Sequence, residues 1–188
     1  SSVAVGYQAL YTCTSGAFNM AVGSQALYSL TTGQYNTGIG YQTAYYTTSG
    51  GNNLALGASA LQRNTTGSYN IAIGSLAGAY QANGSTALAD PENSIYIGAN
   101  TRGFNNDDSN SIVIGYGAIG IGANKTVIGS TSTTMTALFG ALRIPQLAAA
   151  PTGEAGHTLI YAKDNGSGKT QLCCKLGDDV EIVLATQA

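Results

Sequence analysis

The sequence predicts an all-β protein, a parallel β-roll solenoid followed by a small C-terminal β-domain, and two observations carry that expectation. Gly6, Gly23, Gly40, Gly57 and Gly74 recur every 17 residues, each closing a short apolar stretch: VAVG, MAVG, TGIG, LALG and IAIG. A second glycine follows ten residues after each of these, at Gly16, Gly33, Gly50, Gly67 and Gly84, so two backbone turns return in every repeat. A single unit repeated at a short fixed period is the mark of a solenoid, in which each coil buries its apolar face only against its neighbours.

Within the repeat, the positions three and one before each glycine are large (Val3/Val5, Met20/Val22, Thr37/Ile39, Leu54/Leu56, Ile71/Ile73), and the residue between them is small. Period-two alternation makes this segment a strand. The expectation is that the large residues fill the coil. The small ones, Ala4, Ala21, Gly38, Ala55 and Ala72, would then form a close-packed face against another chain, because a water-facing surface has no need of a ladder of Ala and Gly.

The period then changes. Gly74 to Gly98 is 24 residues, one repeat plus seven, which places an insertion at about residues 75–93, with Pro91 inside it; Gly98 to Gly115 is again 17, and Gly115 to Gly129 is 14. In IYIG, IVIG and TVIG the small central residue is replaced by Tyr96, Val113 and Val127, which implies facing chains set further apart in this region. The solenoid is expected to occupy residues 1–140, with a 14-residue coil at 115–129.

Residues 141–188 differ in kind and hold 9 of the 16 charged residues. A linker with Pro145 and Pro151 leads to strands near His157–Lys163, Lys169–Leu176 and Val180–Ala185. NGSG and GDD between them are hairpin signals. Three strands alone make a marginal sheet, so a knob shared between chains is the expected completion.

Composition narrows the function classes. Of the 188 residues only 9% are charged, none of them among the first 62, and the net charge is −2, which leaves no electrostatic footprint for nucleic acid. No apolar run approaches the roughly 18 residues of a membrane span, so membrane insertion is not expected. Cys13, Cys173 and Cys174 have no zinc or disulfide spacing, and no cofactor is expected. GSGKT at Gly166–Thr170 resembles the end of a phosphate loop, but Lys163 stands where that loop needs its first glycine. The chain opens on Ser1 and Ser2 in mid-repeat, as a piece of a longer protein would. A coil of 17 residues offers a core of two or three side chains per layer, against an ordering cost of roughly 1–2 kcal/mol per residue. Oligomerisation is the expected source of the missing burial.

The strings NSIYIG, NSIVIG and NKTVIG, the 14-residue step, and the repeated GYQAL, GSQAL and GASAL resemble the YadA-like head of trimeric autotransporter adhesins. The longer form YQALYTCTSGAFNMAVGSQAL is similar to repeats of phage and virus tail fibres. The resemblance covers about residues 1–130 and implies a left-handed parallel β-roll in which three chains pack side by side. It would place Ala4, Ala21, Gly38, Ala55 and Ala72 on the threefold axis. The 17-residue repeat departs from the usual 14. PTGEAGHTLIYAKDNGSGKTQL is similar to the small β-domains that close phage tail fibres, and no coiled-coil stalk or barrel segment of a complete autotransporter follows. The resemblance therefore implies a non-enzymatic homotrimer at the tip of a viral tail fibre, attaching the virion to a host cell-surface receptor or glycan. The alternatives are a bacterial surface adhesin head and a polysaccharide-degrading tailspike.

Candidate site residues follow from these readings. Receptor contact is expected on His157, Tyr161, Lys163, Asp164 and Lys169, where fixed polar groups gather beside an apolar platform. Asp90 and Asp107 each lie eight residues before a repeat glycine, with Glu92 and Asp108 close by. Stacked carboxylates at about 5 Å would suit a cation or glycoside hydrolysis, and solvation in turns is their ordinary fate. Asn19, Asn36, Asn53 and Asn70 share one position and are expected to form an amide ladder along the axis. Tyr11, Tyr28 and Tyr45 share another, as do Phe18, Tyr35 and Tyr69, and either row is a candidate sugar-stacking strip. The adjacent threonines at 31/32, 47/48 and 65/66 do not make the alternating array that ice binding would need.

Overall fold

The computed structural model describes residues 1–106, 108–133, 135–136, 146–147, 159–164, 170–175 and 181–186. The chain divides into two compact units, Ser1–Thr136 and Ala137–Ala188.

The first unit is a β-solenoid. Its eight strands are β1 (Val3–Val5), β2 (Met20–Val22), β3 (Thr37–Ile39), β4 (Leu54–Leu56), β5 (Ile71–Ile73), β6 (Ile95–Ile97), β7 (Ile112–Ile114) and β8 (Thr126–Ile128). They form one parallel sheet in chain order, and each pairs in register with the strand one coil on, as in Ala4 with Ala21 and Ala55 with Ala72. Each strand ends on a glycine because no other residue fits. At Gly23 φ is +134°, and a Cβ would stand 2.4 Å from the carbonyl oxygen of Gly40 in the next coil.

Beyond the strand, the wall of each coil is built from alternating left-handed residues. Gln25 (φ 58°) and Leu27 (φ 50°) adopt it, as do Gln42 and Ala44, then Ser59 and Leu61. The left-handed region costs a non-glycine residue roughly 1–2 kcal/mol. Here it turns successive N–H groups towards opposite neighbours: Gln25 N–H donates back to Tyr7 O (2.7 Å), and Leu27 N–H donates onward to Thr43 O (2.9 Å). Both walls of the coil are therefore hydrogen-bonded to the coils on either side.

The faces of the strand are the reverse of the sequence expectation. Ala21, Ala55 and Ala72 are 0–1% exposed and belong to the core, with Gly38 buried beside them, whereas Val3, Val5, Met20, Leu56 and Ile128 are 40–56% exposed on the outside. The assignment of Ala4, Ala21, Gly38, Ala55 and Ala72 to an interface between chains is thereby corrected: the row faces into its own coil, although Ala4, in the first coil, is exposed. The cause is the narrow cross-section. The opposite wall supplies Leu27, Leu30 and Leu61, and a Cβ on Gly38 would already lie 3.2 Å from Leu27 Cγ. Only a small residue fits on the strand side.

Tyr96 and Val113 point inward too, so they do not report a wider spacing between chains. Tyr96 has room because the row of the facing wall, Leu10, Leu27, Ala44 and Leu61, continues as Gly78.

The seven surplus residues of the long step leave the coil after Tyr80 and return at Ala87, where the two bridge in antiparallel fashion. Gly84 sits in this excursion rather than in the second glycine row. The residue stacked on Gly67 is Pro91, whose carbonyl oxygen would lie 2.2 Å from a Cβ there.

The axial ladders form. Asn36, Asn53 and Asn70 each donate from Nδ2 to the Oδ1 of the asparagine one coil before (3.3, 3.0 and 3.1 Å), and each of those oxygens also accepts from the following backbone N–H. All four asparagines are buried. Ser94 and Ser111 extend the row below them, Ser94 N–H donating to Asn70 Oδ1 and Ser111 N–H to Ser94 Oγ. Thr14, Thr31, Thr48 and Thr65 donate their hydroxyls to carbonyls of the next coil, and Thr47 is buried, so these groups are engaged inside the fold.

The second unit contains a four-stranded sheet in the order β12 (Glu181–Thr186), β11 (Thr170–Lys175), β10 (Leu159–Asp164) and β9 (Gln146–Leu147). The three long strands are antiparallel neighbours, as the hairpin signals predict, with a register shift between Leu172 and Cys173. β9 runs parallel to β10 and lies within the segment read as linker. Cys173 is buried and Cys174 half-buried, as alternation on a strand requires.

Candidate binding surfaces

Three surfaces of the solenoid have features that ordinary solvation does not explain. The first is the outer face of the eight-stranded sheet. Two ladders, Val3 to Thr126 and Val5 to Ile128, run its whole length, and all their members but Thr37 and Thr126 are aliphatic or Met. Monomeric proteins rarely leave so continuous an apolar strip in water.

The second surface is aromatic. Tyr11, Tyr28 and Tyr45 stack one above another, with centroids 5.3 and 4.8 Å apart and planes within 9°. Phe18 and Tyr35 stack likewise at 5.0 Å, and Asn52 then separates them from Tyr69 in the same row. Stacking along the axis covers the faces of Tyr28 on both sides, so a sugar ring meets the edges of this column and not a row of open faces. Partial desolvation, with the phenols of Tyr28, Tyr46 and Tyr41, raises the Tyr45 hydroxyl above the usual tyrosine value. A polar strip flanks the column: Gln25 donates to Gln8 (3.3 Å), Gln42 to Gln25 (2.8 Å) and Gln62 to Gln42 (2.9 Å).

The third surface adjoins it. Tyr45 meets Tyr46 edge-on, with centroids 4.7 Å apart and planes at 74°. Tyr46, Arg63 and Tyr80 are spaced 17 residues apart and form a column of their own, in which the Arg63 Cζ lies 5.3 Å from the Tyr46 ring centre and 5.7 Å from that of Tyr80. Arg63 Nε is buried and has no hydrogen-bond partner. The sequence reading passed over this column because two residue types alternate in it; the 17-residue spacing was the available signal.

Among the described residues, the acidic side chains do not assemble into a site. Asp108 is fully buried: its Oδ2 accepts from the Tyr96 hydroxyl (3.0 Å) and Phe104 N–H (3.3 Å), and its Oδ1 accepts from Ser111 Oγ (2.8 Å). Burial, followed by the charge of Asp108, pushes the Tyr96 phenol far above the ordinary tyrosine range. Asp90 is exposed and accepts from the Thr66 hydroxyl, and Glu92 accepts from Ser68 N–H (3.2 Å). Asp107 lies outside the described residues. Among the described residues, no group of three or more His, Cys, Asp or Glu is arranged to hold a metal ion, and no helix is long and apolar enough to cross a membrane.

Of the expected receptor contacts, Tyr161, Lys163 and Asp164 lie on β10, where Tyr161 pairs with Cys173, Lys163 with Gln171 and Asp164 with Thr170. His157 and Lys169 lie outside the described residues. A cleft of about 340 Å³ opens beside the last coil, lined by Ile119, Ile121, Val127, Ile128 and threonines, with no titratable group among the described residues of its wall. Comparison of the chain with protein-family models, curated proteins and solved structures finds no match.

Proposed function

We propose that the chain is a non-enzymatic segment of a homotrimeric fibre, the distal part of a viral tail fibre that attaches the virion to a host receptor. The observation that carries this reading is the outer aliphatic face of the sheet. Each strand turns its middle residue inward and leaves its two flanking residues, nearly all aliphatic or Met, on the outside, so the apolar burial that the single chain lacks is available between chains. Three copies set side by side, each presenting this face to the common axis, remove it from water over about 34 Å of solenoid, eight strands at roughly 4.8 Å. The buried, hydrogen-bonded state of Asp108 and the separate engagement of Asp90 support a structural part for the acidic residues in place of catalysis or cation binding. The receptor contact of this reading is the C-terminal unit, with Lys163, Asp164 and Lys169 as its charged members.

Light scattering after size exclusion tests the assembly. A mass near three times 19.0 kDa is expected, and a stable monomer or dimer overturns it. Substituting Lys163, Asp164 and Lys169 together, with the melting curve unchanged, is expected to weaken binding to host cells. Full binding by that variant moves the receptor site elsewhere.

A further inference from the structure

Arg63 is the first charged residue of the chain; the next basic residue is Arg102, and the first carboxylate is that of Asp90. A lone arginine in so neutral a surface needs an explanation. Packing supplies part of one, since the guanidinium lies within cation–π range of both Tyr46 and Tyr80, an arrangement worth roughly 0.5–2 kcal/mol. That contact engages the charge and gives the N–H donors no hydrogen-bond partner. Among the described residues Arg63 forms no ion pair or hydrogen bond, and its Nε is shut off from water without a partner. The side chain is thus fixed in position, partly desolvated, and unsatisfied in its hydrogen bonding. Those three properties favour a planar anion over bulk solvent.

The surroundings narrow the anion's class. Gln62 is the sequence neighbour of Arg63 and holds the end of the amide strip through Gln42. Tyr46 is 43% exposed, and the corresponding residue one coil above it, Ser29, is too small to cover a phenol ring. One positive charge among neutral amides, phenols and ring surface suits a ligand with one anionic group, several hydroxyls and an apolar ring face. It does not suit a polyanion, which needs several cations.

We propose that the column Tyr46, Arg63, Tyr80, with Gln62 beside it, is a lateral binding site for an acidic saccharide, its carboxylate on the Arg63 guanidinium and its hydroxyls on the amide and phenol groups. This site is separate from the receptor contact in the C-terminal unit and stands whether or not that contact exists. Its repetition on each copy of an oligomer raises avidity where single-site affinity is low.

The test uses the full 188-residue chain on immobilised sialyllactose and glucuronate-bearing oligosaccharides, with lactose, a sulfated lactose, a poly-glutamate peptide and polyphosphate as further arms. Binding to the carboxylated sugars but not to lactose is expected, falling as salt rises. R63Q is expected to weaken it about tenfold or more, and R63K, which keeps the charge but loses the planar fork, by less. Sulfated lactose binding as tightly as the carboxylated sugars widens the class to anionic sugars and overturns the carboxylate assignment. Equal binding of lactose, of the peptide or of polyphosphate overturns the site as a saccharide site, as does unchanged binding by a folded R63Q. If R63Q does not fold, the parent's arginine side-chain NMR signals decide the matter, because the chain has only Arg63, Arg102 and Arg143. The Arg63 Nε–H resonance must move with sialyllactose and stay still with lactose. A parent chain that binds host cells but none of the carboxylated sugars rejects this site alone, whereas one that binds the sugars but not host cells rejects the C-terminal contact.

Discussion

Tyr96 stands in the space that a side chain at Gly78 would fill: a Cβ on Gly78 would lie 2.7 Å from Tyr96 Cδ2. In the coils above, the strand contributes an alanine or a glycine and the facing wall a leucine or, at Ala44, an alanine; here the strand contributes the large residue and the wall gives up its side chain. The exchange also brings a phenol within reach of Asp108.

Gly78→Ala should therefore destabilise the parent by about 1–3 kcal/mol through overpacking. The backbone is not the obstacle, since Ala44 occupies the equivalent position at φ 46°. In a Tyr96→Ala background the same change should have little effect or stabilise. Urea melts of the four proteins give the coupling, and equal costs in both backgrounds would refute the exchange.

Asn53→Ala should cost more than Asn19→Ala. Asn53 donates to Asn36 Oδ1 and to Gly67 O and accepts from the backbone and side chain of Asn70, so its loss removes four side-chain hydrogen bonds against three for Asn19 and leaves the buried Asn70 N–H without a partner, at roughly 1–3 kcal/mol. Asn19 has no asparagine above it. Melting temperatures of the two variants would settle the order.

Because Tyr96 holds its proton more tightly folded than unfolded, its contribution is complete below the ordinary tyrosine value of about 10 and is lost as pH rises above it. Tyr96→Phe should be less stable than the parent at pH 7, since Asp108 Oδ2 loses a donor, and its stability should fall less steeply above pH 10. Denaturation curves from pH 7 to 11.5 compare the slopes, and parallel slopes would remove Tyr96 from the account.

The inward and outward rows should respond differently to substitution. If the outer face is the proposed interface, Leu56→Asp leaves the coil folded and dissociates the oligomer, while Ala55→Leu overpacks each coil interior and should lower the melting temperature whatever the oligomeric state. Circular dichroism and light scattering on both variants separate the effects. Dissociation by Ala55→Leu with an unchanged melt would restore the alanines to the interface.

The period of the solenoid, its eight strands and the asparagine ladder were legible because each depends on spacing, and spacing is conserved from sequence to structure. Which side of each strand faces inward was not. Alternation at Val3, Ala4 and Val5 shows that the faces differ, but the decision belongs to Leu27 and Leu61 across the coil, whose left-handed backbone carries no signal in a residue type that normally avoids it. Gly84 has the right residue type at the right interval, and only the excursion between Tyr80 and Ala87 removes it from the row. β9 is two residues between prolines, too short for any pattern. Arg63 escaped because an arginine between two tyrosines does not look like a repeat until the coils are stacked.

The bonds of the asparagine, glutamine and threonine rows all run from one coil to the next, parallel to the axis. Under a stretching force along that axis they are loaded in succession, one coil peeling before the next bears strain. A coil of 17 residues that is released extends by about 55 Å, its contour length less one coil rise. A single chain pulled from its ends would therefore lengthen in a saw-tooth of equal steps, with a longer one at the 24-residue coil and a shorter one at the 14-residue coil. The solenoid gives way by yielding a measured length at a time instead of snapping.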